Sequence, residues 1–60
     1  MTPIEKERQL FCEGCVIEAE INLEDGTKVR LVSTPKGESY KLTYHRNEHY
    51  VFVIHDITQI

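Results

Sequence analysis

Polar and apolar residues alternate through "VIEAEINLE", where Ile17, Ala19, Ile21 and Leu23 interleave with Glu18, Glu20, Asn22 and Glu24. A period of two predicts a strand with one wet face. "TKVRLVS" and "ESYKLTY" continue the β pattern. "YVFVIHDITQI" closes the chain with five consecutive apolar or aromatic residues, so its strand is expected to be apolar on both faces. Ahead of the strands, Thr2, Pro3 and Glu5 spell a capping box with proline at the first helical position. The spacing predicts a helix over about 3–11, with Ile4, Leu10 and Phe11 inward and Gly14 as its stop. A helix that short must dock on something to persist.

The strands are predicted at about 16–24, 27–33, 38–45, 49–55 and 57–60. They imply a mainly β domain, a short N-terminal α-helix followed by a five-stranded, strongly bent antiparallel small barrel. A three-residue loop, Glu24-Asp25-Gly26 with Gly26 left-handed, sets Ile21 opposite Val29 and Ala19 opposite Leu31, with Glu20 opposite Arg30 outside. "TPKG" then turns with Pro35 at its second position, pairing Leu31 with Tyr40 and Val29 with Leu42. That arrangement gathers Lys28, Arg30 and Lys41 on the outer face. A third hairpin over "HRNEH" sets Tyr44 opposite Tyr50, Leu42 opposite Phe52 and Tyr40 opposite Ile54. Val51, Val53 and His55 are left pointing outward at an apolar sheet edge, an aggregation hazard unless covered. Oligomerisation through Val51, Val53 and Ile57 is the expected cover.

Sixty residues make one small domain, near the lower limit for a stable core. The formal charge of −3 conceals an asymmetry. Residues 1–25 hold seven acids against Lys6 and Arg8; residues 26–60 hold five bases against Glu38, Glu48 and Asp56. Non-specific duplex binding needs a stronger basic surplus, but a small basic face fits the second half. No run approaches the ~20 apolar residues that span a bilayer, and no signal-peptide pattern is present, so a cytoplasmic protein is expected.

Cys12, Cys15, His45 and His49 spell C-x2-C followed by H-x3-H, ligand types suited to tetrahedral zinc. The meander puts the two halves ~25 Å apart, so reduced cysteines and solvated turn histidines are the expected state. Zinc, if bound, would be shared between subunits or hold an interaction domain together. A redox role for Cys12 and Cys15 lacks the helix N-terminus that stabilises a thiolate. No serine or cysteine joins a histidine and an orienting acid, and so small a fold is expected to lack a ~300 Å³ cleft. A non-enzyme follows. Lys28, Arg30 and Lys41 read as solvated charges or as a phosphate-contacting patch. Tyr44 and Tyr50, near strand ends, are candidates for stacking a base.

A short helix, then "INLEDG" ending the first strand and "VIHDITQI" forming the last two, resembles the bacterial Sm-like proteins, and within them the Hfq group. The apolar-x-Asn/Asp-Gly turn of that family matches Leu23, Glu24, Asp25 and Gly26. Its second signature matches at His55, Ile57, Thr58 and Ile60, while Val53 and Ile54 replace the family's tyrosine and lysine. Leu31 stands where the family has a mid-strand glycine, and its loop aspartate has no counterpart near Lys36. The resemblance implies an Sm-like or SH3-like barrel and a homo-oligomeric ring joined through the fourth and fifth strands. It also implies single-stranded RNA at a ring pore lined by His55; on the residue reading above, Lys28, Arg30 and Lys41 would attract its phosphates and Tyr44 or Tyr50 would stack a base. The expected function is post-transcriptional regulation by an Hfq-like oligomer. The alternatives are an acidic protein-binding module, as in the similar Rho-binding antiterminators that regulate transcription termination, and a zinc-stabilised interaction domain.

Overall fold

The capping chemistry of the first residues forms as the spacing predicts. The Thr2 hydroxyl accepts the Glu5 N–H at 3.3 Å, and the Glu5 carboxylate accepts the Thr2 N–H at 3.4 Å. In the computed structural model, which describes residues 1–60, helix α1 spans Pro3–Cys12. It ends in a Schellman closure: Cys15 N–H donates to the Leu10 carbonyl at 3.3 Å and Gly14 N–H to that of Phe11 at 3.2 Å. Gly14 sits at φ 87° there, and Cys15 packs against the core that contains Leu10.

Four strands follow: β1 (Val16–Asn22), β2 (Thr27–Ser33), β3 (Ser39–Arg46) and β4 (Phe52–Gln59). They form an open antiparallel meander in the order β1-β2-β3-β4. The mainly β class holds, but the closed five-stranded Sm-like or SH3-like barrel does not. The bend read after His55 is a bulge inside β4, so the segment expected as a fifth strand continues the fourth. The separate fifth strand, through which the resemblance joined subunits to the fourth, is absent.

The first hairpin has the predicted register, with Ile21 opposite Val29, Glu20 opposite Arg30 and Ala19 opposite Leu31, and a bulge at Glu18. Leu23 N–H donates to the Thr27 carbonyl at 2.8 Å and closes a loop of Glu24, Asp25 and Gly26. The second hairpin departs from expectation by one residue. Thr34 N–H donates to Glu38 at 2.8 Å around a loop of Pro35, Lys36 and Gly37. Val32 then faces Tyr40, Arg30 faces Leu42 and Lys28 faces Tyr44. A one-residue change of register moves a whole strand face to the other side. Ala19, Ile21, Val29 and Leu31 therefore lie opposite the face that holds Tyr40 and Leu42. The third hairpin slips further, with Tyr44 opposite Ile54, Leu42 opposite Ile57 and Tyr40 opposite Gln59. Its loop of Glu48, His49 and Tyr50 closes through Asn47 N–H to the Val51 carbonyl at 2.9 Å.

The core lies between α1 and the sheet. Leu10, Val32 and Leu42 are fully buried, with Tyr40 and Tyr44 nearly so. Cys15, Phe52, Ile54 and Ile57 pack around them. Burying each aliphatic side chain contributes roughly 1.5–3 kcal/mol. The bulge at His55 lets both Ile54 and Ile57 reach this face of β4.

All three hairpins use the same loop geometry, in which the third loop residue has positive φ. Gly26 (φ 88°) and Gly37 (φ 87°) fill that place in the first two, and Tyr50 (φ 60°) fills it in the third. A non-glycine residue there costs about 1–2 kcal/mol. Tyr50→Gly is accordingly expected to raise stability by about 1 kcal/mol, and Gly37→Ala to lower it by about the same. Urea unfolding of both variants checks the pair; a Tyr50→Gly variant less stable than the wild type would contradict it.

Candidate functional site

The parity of β2 places Lys28 and Arg30 on the helix side of the sheet, where they are not free. Glu20 on the neighbouring strand takes Arg30 Nε at 3.1 Å and Lys28 Nζ at 3.3 Å. The Arg30 guanidinium lies 5.0 Å from the Tyr44 ring centre, and the Lys28 ammonium 4.1 Å from that of Phe52. Each cation thus covers an aromatic face. The Tyr44 hydroxyl donates to the Glu7 carboxylate, which ties α1 to β3. Burial, and then Glu7, push the Tyr44 phenol up to about 12. A raised phenol favours the folded state at any pH below the ordinary tyrosine range, and that contribution fades as pH climbs through about 12. Arg30 and then Lys28 hold the Glu20 carboxyl below its usual range.

Of the residues expected to contact RNA, the structure brings Lys28, Arg30 and Tyr44 together and separates the others. Lys41 lies beside Leu31 on the side of the sheet away from the helix and is exposed. The expected basic trio on one outer face is therefore corrected to a pair and a single residue, because β2 and β3 meet in the other parity. The His55 ring stacks on His45 with centroids 4.2 Å apart and planes 12° apart. Tyr50 stands exposed at the tip of the third loop, with the Arg46 guanidinium 5.2 Å over its ring. The expected interface residues are also dispersed. Val51 precedes β4, Val53 lies opposite His45 away from the helix, and Ile57 packs against the core opposite Leu42.

Cys12 and Cys15 stand at the end of α1, while His45 lies at the far end of the meander and His49 in the third loop. No group of three or more His, Cys, Asp or Glu side chains is placed to hold a metal ion. Burial, with Glu13 adding to it, pushes the Cys15 thiol up, opposite to the shift a redox nucleophile needs. The small size did not preclude a cleft. An open depression of about 390 Å³ lies where the start of α1 meets β3 and β4. Lys6 and Asp56 are its charged groups, and Lys6 lies 5.0 Å over the Tyr40 ring. The Thr2 hydroxyl on its wall is engaged with Glu5 at 2.9 Å.

The far side of the sheet carries what sequence reasoning assigned to the core. Val16, Ala19 and Ile21 of β1 and Val29 and Leu31 of β2 share that side by register, and Leu23 continues it past the end of β1. No helix or strand covers them. Val16 is 58% exposed, Ile21 49% and Leu23 48%. On the same side, β3 and β4 present Lys41, Thr43, His45 and Thr58, with Val53 as an exposed aliphatic residue among them. The face is thus divided into an aliphatic half and a mainly polar half.

Sequence reasoning missed Glu7, Phe52 and Arg46 as members of these clusters. Glu7 stands three residues before Leu10, so the shared helix face was legible, but its partner across the fold was not. No protein-family model, curated protein or solved structure matches this chain. No helix is long and apolar enough to cross a membrane.

The Glu20 bridge has a defined pH signature. A carboxyl held low in the folded state contributes stability that is present above its unfolded value and lost as pH falls through the folded one. The stability difference between wild type and Glu20→Gln should hold from neutrality down to the ordinary carboxylate range and close below it. Urea midpoints across acidic pH report this; a difference that stays constant down to the acid limit would remove the bridge from the account.

Proposed function

We propose that this chain is a non-enzymatic protein-interaction module that docks through the aliphatic half of its uncovered sheet face. One observation carries the reading: Val16, Ala19, Ile21, Leu23, Val29 and Leu31 form a contiguous apolar surface on the side away from the helix. The largest apolar patch on a small protein is often its functional surface, above all where polar residues rim it. Thr27, Thr43 and His45 border it here. The charge distribution agrees, since the cations of β2 are engaged by Glu20 and the aromatic rings on the helix side. The test is retention on the immobilised chain of either the chain itself or a protein from lysate. Wild type should retain a partner and the Ile21→Lys/Leu31→Lys variant should lose it. Equal retention by both would overturn the reading, provided circular dichroism shows the variant folded.

A second reading, single-stranded RNA binding, draws support from Tyr50. An exposed aromatic residue occupies the positive-φ position where the other two hairpins have glycine, and Arg46 sits beside its ring. Backbone strain kept at an exposed position is a known mark of functional sites. A base could stack on Tyr50 while Arg46 meets a phosphate. On this reading, Tyr50→Ala and Arg46→Ala each weaken binding of fluorescent A-rich or U-rich RNA at low salt about tenfold. Anisotropy that is flat at micromolar protein would eliminate it.

A further inference from the structure

We infer that the occupant of the aliphatic face is a second copy of this chain, packed face to face about a two-fold axis that runs along the strands. The inference rests on the interaction-module reading and names its partner.

The charges on that face carry the argument. Ala19 of β1, Leu31 of β2 and Lys41 of β3 lie side by side in one row across the sheet. Glu18 stands next to Ala19 in the β1 bulge, with its carboxylate taking the Ser33 hydroxyl at 2.6 Å. Lys41 and Glu18 are both exposed, and neither has an opposite charge within the 4.0 Å that defines an ion pair. The three ion pairs of the chain lie elsewhere, two at Glu20 and one at His49.

A two-fold axis between two stacked sheets, parallel to the strands, keeps each row at its own height and reverses the order of strands across it. With the axis under β1 and β2, the aliphatic halves meet. Leu31 and Val29 of one copy lie over β1 and β2 of the other, at the ~10 Å spacing of packed sheets. The same operation carries Lys41 of each copy to the β1 edge of its partner, at the height of Glu18. Two equivalent ion pairs form at the rim, and the unpaired charges of the monomer satisfy each other. This self-complementarity is what an isologous interface requires.

Six residues make a small patch, well under the roughly 800 Å² that a standard interface buries per partner. A weak dimer is expected, exchanging with monomer at working concentrations.

The experiment is sedimentation equilibrium from micromolar to millimolar protein, on wild type and three exposed-charge variants. Wild type should dimerise and go no further. Lys41→Glu and Glu18→Lys, each opposing like charges at both rim sites, should weaken the dimer roughly tenfold. The double variant Lys41→Glu/Glu18→Lys should restore it. These positions are exposed, so folding is not at stake; Leu31→Lys should abolish the dimer, with circular dichroism reporting its fold. Double-swap rescue supports the pairing, whereas a dimer indifferent to all three charge variants overturns it. A wild type that stays monomeric yet retains a lysate protein through Ile21 and Leu31 overturns the second copy and leaves the interaction module standing. A monomer that retains nothing overturns both.

Discussion

The hydrogen bond from Thr34 N–H to the Glu38 carbonyl decides on which side of the sheet every residue of the first hairpin lies. Side chains along a strand alternate strictly, so the number of residues in the Pro35-Lys36-Gly37 loop fixes the parity of β2 against β3. With three residues, Val32 joins Tyr40, Leu42 and Tyr44 beneath Leu10. Arg30 and Lys28 are carried to the same side, where they cover Tyr44 and Phe52. The helix depends on this surface, since ten residues are too few to persist unsupported. Gly37 favours the loop, because a three-residue connection of this kind needs positive φ at its last position, which glycine adopts without strain.

What could be read from the sequence was the chemistry that acts locally. The Thr2–Glu5 box, Pro3 and Gly14 specify the helix through groups within a few residues of one another. The first hairpin was legible because both its strands alternate and Asp25-Gly26 restricts the loop. The second was not. In "TKVRLVS", Val29 and Leu31 favour one parity and Val32 the other. An aromatic neighbour makes a cation acceptable on the buried side, so polarity could not choose between them. The third loop lacked any glycine, which hid its positive-φ position at Tyr50, and the bulge at His55 made one strand resemble two. The candidate site inherited these errors. Lys28, Arg30 and Glu20 were grouped correctly as neighbours, yet on the wrong face.

The parity also explains why the chain presents two unlike faces. On the helix side, the acids of the first half meet the bases of the second at Glu20, so part of the charge asymmetry along the sequence is consumed within the fold. On the other side, the aliphatic residues that alternate with those charges are left without a layer above them. A sheet buried on one side only usually presents polar residues on the other. Here that holds for β3 and, Val53 apart, for β4, but not for β1 and β2, and the departure falls mainly on one contiguous half.

The edges of the sheet add to the case for the proposed docking through that half. Both edge strands carry a β-bulge, β1 at Glu18 and β4 at His55. A bulge disrupts the regular ladder that an added strand would need, and charged side chains on an edge oppose it further. If two such edges paired in antiparallel fashion about Ala19, Glu18 of each copy would confront Glu20 of the other. Growth by edge addition, which has no natural end, is therefore discouraged at both sides of the meander. Association through the face is not. It leaves the bulges in place, sets aliphatic residues against aliphatic residues, and closes after a single two-fold step. The sequence feature that opposes edge pairing, acids alternating with aliphatics along β1, is thus the same feature that supplies the face with its apolar surface and with the acid at its rim.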